Sequence, residues 1–221
     1  PIPTIPTIPP IDFAIISAIA PVRQALCTAL NITDNDRRRK DNRTYWHTTI
    51  PLPNGQHYSL ILAQAPDMAN VDAALLAADT LNHWQPHAIL MVGIAAATSR
   101  HQTLGDIILG KDIYYYDRGK VTSDGTLPEP VMYRPDATLW DRAINTPKTG
   151  FDIQATRPDG TDTFPTITPG VIASGEKVIA NADFRDALVA QHRKIKAIEM
   201  EGYGVHAAAH QRHEPTRCLV I

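Results

Sequence analysis

The stretch from Gly170 to His210, GVIASGEKVIANADFRDALVAQHRKIKAIEMEGYGVHAAAH, constrains the fold more than any other part of the chain. It holds two apolar runs that stop at polar tips. Val171-Ile172-Ala173 stops at Ser174-Gly175-Glu176, which reads as a buried strand with polar groups at its C-terminal end. Ala197-Ile198-Glu199-Met200-Glu201-Gly202 reads as a short strand passing straight into a helix whose small face is Gly204, Ala207 and Ala208. Open α/β sheets place ligands outside the carboxyl ends of their strands, at corners of this kind. An acidic residue at a solvated helix start merely complements the dipole. Glu201 stands apart because it lies between Met200 and Gly202 at the head of an alanine-rich helix read as buried. A buried carboxylate needs partners. A sugar diol is one, since an ionised carboxylate accepts two hydroxyl hydrogens.

The remainder alternates strands and helices. Residues 1–11, which begin PIPTIPTIPP, read as an extended proline-rich linker, a tether from an upstream domain or a tag remnant. Asp12–Ile19 is a predicted buried strand, and Pro21 opens a helix over Val22–Leu30. Asp36–Arg43, DRRRKDNR, is the one charge run. It reads as a solvated loop, or as a holder of nucleotide phosphates through arginine forks. Thr44–Ile50 and His57–Ala63 are predicted strands joined through Pro53-Asn54-Gly55. The helix that follows Pro66–Asn70 is expected to bury Val71, Ala74, Leu75, Ala78 and Leu81. His87–Val92 is a central strand, followed by the small-residue loop Gly93-Ile94-Ala95-Ala96-Ala97-Thr98, which lets backbone N–H groups approach a ligand. Gly105–Tyr116 is a long strand whose tyrosines pack in the sheet, and 117–122 a loop. Residues 123–167 form a surface excursion around a helix at Asp136–Ile144. The last strand is TRCLVI.

The 221 residues suffice for one α/β domain over 12–221. A net charge of −2 offers no argument for nucleic acid as a partner. Two distant cysteines, Cys27 and Cys218, form no disulfide framework and fit a reducing, cytoplasmic compartment. No apolar run reaches the length of a membrane span, and no signal peptide is visible. The chain begins with Pro1 and is read as a processed or trimmed fragment.

Ile198-Glu199-Met200-Glu201-Gly202 resembles the V-E-M-E-A segment of the nucleoside phosphorylase/nucleosidase superfamily, and of its 5′-methylthioadenosine/S-adenosylhomocysteine nucleosidase group in particular. Val171–Ile179 resembles that group's strand and loop ending in S-G-D-x-F-I. Met91–Ala97 with Leu104–Ile108 resembles its glycine-rich loop followed by V-G-D-I-V. Asp117–Thr122 resembles the G-K-V-T loop of bacterial phosphorylase-like effector domains.

The resemblance implies a three-layer αβα fold with a mixed, partly barrelled central sheet. It implies cleavage of the N-glycosidic bond of a purine nucleoside or nucleotide by water, by a homo-oligomer that needs no cofactor and no metal. Glu201 would hold the ribose hydroxyls, with Met200 against the sugar and Glu199 supporting the corner. Val178, Ile179 and Glu176 would face the base. In the nucleosidases an aromatic ring stacks on the base where this chain has Val178.

Arg23, Gly93, Ile94 and Ala95 fall in the region of the nucleophile or phosphate. Ala20-Pro21-Val22-Arg23 resembles the D-P-L-R of purine nucleoside phosphorylases, while no acid stands where many nucleosidases activate water. Ile94 replaces a serine and no arginine precedes Gly93, which leaves a phosphate cradle incomplete. A phosphate-dependent phosphorylase and a non-catalytic nucleotide sensor therefore remain as alternatives. The family's general acid is an aspartate that follows the last strand. Its place falls after Ile221, so the segment taken alone is expected to be catalytically impaired.

Overall fold

In the computed structural model, residues 10–146, 155–156, 160, 162–163 and 165–221 are described; residues 1–9 of the proline-rich segment lie outside this set. The first part of the chain runs β1 (Phe13–Ser17), α1 (Ala20–Ala29), β2 (Arg37–Lys40), β3 (Arg43–Pro51), β4 (His57–Gln64), α2 (Asn70–Trp84), β5 (Ala88–Met91) and β6 (Ala96–Ala97). A middle part follows with β7 (Ile107–Tyr115), β8 (Gly119–Thr122), β9 (Gly125–Pro128), β10 (Val131–Tyr133), α3 (Ala137–Ile144), β11 (Ala155–Thr156) and β12 (Asp162–Thr163). The last part holds β13 (Ile167–Ser174), α4 (Ala182–Gln191), β14 (Ile195–Glu199), α5 (Gly202–His210) and β15 (Arg217–Val220).

The strands divide between two mixed sheets, β15-β5-β1-β4-β3-β2 and β10-β7-β13-β14-β6. In the first, β1, β4, β5 and β15 run parallel; in the second, β7, β13 and β14 do. Period-two alternation decides which helix each face receives. Ala14 and Ile16 of β1 and Ile113, Ile172 and Ala197 of the second sheet meet Leu76, Leu81, Val205 and Ala209 of α2 and α5 in one core. Ile15, Leu60 and Leu62 turn the other way, toward Leu26 and Leu30 of α1 and its C-terminal end. Tyr114, Val171, Ala173 and Ile198 pack with Leu188 of α4. Helices thus cover both faces of a mixed sheet system, as an αβα reading requires.

No closed barrel forms among the described residues. The sheets adjoin at β7 and β15, where a Cβ on Gly110 would lie 3.0 Å from the Val220 carbonyl oxygen. Register shifts at Gly170/Val171 and Val171/Ile172 bend β13 there.

Several expectations need correction. Ile11, placed in the linker, is buried, and its carbonyl accepts from His87 N at 3.0 Å. The charge run is not a loop: Arg37–Lys40 pair with β3 as an edge strand, a location that tolerates consecutive charges. Residues 119–128 form a β8–β9 hairpin rather than a loop, turned at Gly125 with φ +123°. Helix α2 buries Ala73, Leu76, Ala77, Thr80 and Leu81, while Val71 and Leu75 are 65% and 54% exposed. On α5 the buried residues are Gly202, Gly204, Val205, His206 and Ala209; Ala207 and Ala208 are only half-buried.

The reason for that rotation is the contact between α2 and α5. A Cβ on Gly204 would sit 2.1 Å from the Asn70 carbonyl oxygen, so the two backbones touch. Gly204→Ala must push the helices apart, and overpacking of this kind costs about 1–3 kcal/mol or more. A clearly lowered melting temperature is expected, with Ala207→Gly as the control on the half-buried flank. A melting curve unchanged by Gly204→Ala would remove this contact as a fixed point of the fold.

Candidate active site

A cavity of about 310 Å³ lies at the carboxyl ends of the parallel strands. Ala18 and Ile19 follow β1, and Met68 follows β4. Gly93, Ile94, Ala95 and Ala96 follow β5. Lys177, Val178 and Ile179 follow β13, and Glu199, Met200 and Glu201 end β14. The loop after β5 crosses from the first sheet to the second. Gly93 N donates to the Ile221 carbonyl at 3.2 Å, and Ala96 and Ala97 then pair with β14. The cavity therefore occupies the seam between the sheets.

Glu199 is 8% exposed. Its Oε2 accepts from Glu201 N at 2.7 Å and Gly202 N at 2.6 Å, the unpaired donors that open α5. Its Oε1 is buried without a hydrogen-bond partner. Burial pushes this carboxyl up to about 7 despite the nearby Ser174 hydroxyl and the two backbone donors. Glu201 is 6% exposed, and its Oε1 accepts from Ala69 N at 2.9 Å. Burial raises its pKa too, with the Ala69 amide opposing and the Glu176 carboxylate adding to the rise. Ala69 holds φ at +91°, an unfavourable conformation for a residue with a Cβ, and this turn is what aims its N–H at Glu201.

Of the residues singled out in the sequence, Gly93, Ile94, Ala95, Val178, Ile179, Glu199, Met200 and Glu201 share this cavity. Ile94 and Val178 are 70% and 72% exposed, so their apolar side chains stand open at the rim. Glu176 and Arg23 do not line it. Glu176 Oε2 accepts from Asn70 N at 3.2 Å, which ties this carboxylate to the start of α2. Arg23 points the other way: its Nε donates to Gln64 Oε1 at 2.8 Å and its guanidinium lies 4.8 Å above the Trp46 ring. It lines a neighbouring cavity of about 530 Å³. Tyr115 stacks on Tyr203 at 4.0 Å, and among the described residues no tyrosine lines the site cavity.

Sequence reasoning missed Asn70. Its Oδ1 accepts from Ser174 Oγ at 3.1 Å and Gly204 N at 2.8 Å, and its Nδ2 donates to the Gly175 carbonyl at 3.1 Å. Ser174 Oγ also accepts from Tyr203 N. One amide thus locks together the tip of β13, the start of α5 and the start of α2. The only sequence signal was an asparagine at a predicted helix start. Lys177 was likewise not singled out; it lines the cavity with its ammonium held by Asp117.

The chain belongs to the Phosphorylase superfamily, whose family model matches residues 12–221. It is 26% identical over 190 residues to the ATP nucleosidase Cap17 of Escherichia coli strain KTE188, an alignment that covers 77% of this chain and 37% of that protein. The chain thus spans little more than a third of that relative's length. It is 24% identical over 163 residues to the 5′-methylthioadenosine/S-adenosylhomocysteine nucleosidase of Staphylococcus haemolyticus strain JCSC1435, over 71% of this chain and 64% of that one. Its fold matches the S-adenosylhomocysteine nucleosidase of Streptococcus pyogenes, crystallised with 5-methylthiotubericidin. There the TM-score is 0.73 at 21% identity, with 97% of this chain and 83% of that one covered.

The buried carboxyl makes stability depend on pH. Glu199 titrates near 7 when folded and near its ordinary 4.5 when unfolded. Its contribution is complete at acid pH and is lost as pH rises through about 7. His206 acts in the opposite sense: burial lowers it to about 4, so stability is lost as pH falls below the ordinary 6.5. Between about pH 4.5 and 6.5 the two slopes oppose each other, so Glu199→Gln should leave the His206 rise uncancelled there and remove the fall between about pH 6.5 and 7, a change in slope of up to about 1.4 kcal/mol per pH unit. Urea titrations at several pH values read this directly. An unchanged slope would mean that Glu199 is already ionised in the folded chain at pH 5.

Proposed function

We propose that this chain cleaves the N-glycosidic bond of a purine nucleoside or nucleotide, with water as the nucleophile. The observation that carries this reading is the placement of Glu199, Met200 and Glu201 together on the wall of a cavity sized for a small molecule, at the carboxyl ends of the strands. The named relatives, nucleosidases of ATP and of 5′-methylthioadenosine, support the same class of reaction.

In this reading Glu201 accepts hydrogen bonds from the ribose hydroxyls. One of its oxygens is already oriented by Ala69 N, so little side-chain freedom is lost on binding. Met200 packs against the sugar. Glu199 sits behind Glu201 with two backbone donors fixing one oxygen and the other oxygen unpartnered, and it places a second carboxyl near the sugar. As the bond to the base breaks, the sugar gains oxocarbenium character, and nearby carboxylates stabilise that positive charge. The Val178–Ile179 backbone faces the base.

Water is favoured over phosphate by the charges around the cavity. Among the described residues Lys177 is the only basic one that lines it, and Asp117 holds its ammonium. Arg23, the residue matched to a phosphorylase arginine, lies in the next cavity. Among the described residues a phosphate dianion at the sugar would meet two carboxyl side chains and no cation that is not already paired.

Glu201→Gln keeps the shape and removes the charge. Losing a charge-assisted hydrogen bond costs about 1.5–3 kcal/mol, so the full-length protein should lose roughly 10- to 100-fold in kcat/KM. Base release from adenosine, methylthioadenosine and ATP, followed by chromatography with and without phosphate, measures it. Release that is independent of phosphate and lost in Glu201→Gln is expected. Dependence on phosphate would move the reaction to phosphorolysis. Binding without any base release would make the chain a sensor.

A further inference from the structure

We infer that the cavity beside the candidate active site, lined by Arg23, Arg37, Arg43 and Trp46, receives the 5′-polyphosphate tail of a nucleotide substrate. This inference rests on reading the smaller cavity as the site for the nucleoside part.

The two cavities are lined by neighbouring residues of the same segments. Ser17 at the tip of β1 pairs in register with Gln64 at the tip of β4, so the strands that lead into the two cavities are adjacent. On α1, Val22 lines the nucleoside cavity and its neighbour Arg23 lines the other. After β4, Ala65 and Pro66 line the arginine cavity, and Met68, two residues on, lines the nucleoside cavity. A ligand whose sugar is held at Glu201 beside Ala69 thus lies one short loop away from the three guanidinium groups. At about 530 Å³ the arginine cavity is also the larger of the two.

The charges are arranged for an anion. Among the described residues of the lining Asp34 is the one carboxylate, against three arginines, of which Arg43 is ion-paired with Asp79 while Arg23 and Arg37 carry unneutralised charge. Two of these are fixed by the protein: Arg23 by Gln64 and Trp46, and Arg43 by Asp79 at 2.7 Å. Arg37 is different. Its guanidinium makes no hydrogen bond or ion pair among the described residues, although its neighbours are engaged, Arg38 with the Asn35 and Arg37 carbonyls and Lys40 with the His83 carbonyl. A pre-positioned pair of arginines with a third left free suits a chain of phosphates, because guanidinium forks bind phosphate oxygens in pairs.

The test uses the full-length protein and compares adenine release from ATP and from adenosine, with inorganic tripolyphosphate as a free probe of the arginine cavity. Arg37 is exposed on an edge strand, so Arg37→Ala should fold. The expected result is a fall of about 10- to 100-fold in kcat/KM for ATP relative to adenosine, the loss of one charge-assisted contact. Arg37→Lys should restore part of it. Tripolyphosphate should compete with ATP, and added salt should weaken ATP use selectively. Equal proportional effects of Arg37→Ala on ATP and adenosine would overturn the inference. So would tripolyphosphate binding that leaves ATP use untouched, which would mark a separate anion site. Should neither substrate release base, the nucleosidase reading fails. Calorimetric binding of ATP that tripolyphosphate displaces and Arg37→Ala weakens would then still support the tail site, and its absence would refute it.

Discussion

The Asn70 side chain is the junction on which the site depends. Its amide joins the hydroxyl of Ser174, the amide of Gly204 and the carbonyl of Gly175, three groups on two segments that are far from it in sequence. All of these groups are buried or nearly so, and each left unpaired would cost about 1–3 kcal/mol. The closeness of Gly204 to the Asn70 backbone makes the geometry possible, because any side chain there would hold α2 and α5 apart. With α2 pinned, Ala69 immediately before it is held at a positive φ, and its N–H reaches Glu201. A packing contact between two helices thereby sets the position of the residue proposed to hold the sugar.

Much of this was legible where a local pattern and a physical need coincided. Apolar runs ended by polar tips located β13 and β14, and the Glu-Met-Glu corner stood out because two acids flanked a methionine at the start of a small-residue helix. Asn70 was not legible, since its partners lie more than a hundred residues further along the chain. The buried face of α2 was misjudged for a related reason. Alanine and leucine occupy so many of its positions that more than one stripe looks apolar, and the contact with Gly204 chooses among them. The strand at Arg37–Lys40 carries no apolar alternation at all; its pairing with β3 is set by the tight turn at Asp41, whose φ is +51°. The division into two sheets follows from bends in β13 and from the close passage of β7 past β15, neither of which has a signature in one sequence.

The electrostatics of the seam explain why three glutamates can gather there. Each is held by a backbone amide at or beside a helix start: Glu199 by Glu201 N and Gly202 N, Glu201 by Ala69 N, and Glu176 by Asn70 N. The partial positive charge of the α2 and α5 N-termini offsets part of the cost of desolvating them. It does not offset all of it, as the upward displacement of Glu199 and Glu201 shows. A cavity walled by reluctant carboxylates is a poor place for an anion and a favourable one for a sugar acquiring positive charge. If the ligand also carries phosphates, they cannot share that wall. The chain has its arginines one loop away, at the tip of the adjacent strand, so that a single extended nucleotide would meet carboxyl groups at its ribose and guanidinium groups at its tail. The separation of the two charge types into two adjoining cavities is the feature that links the proposed chemistry to the proposed substrate.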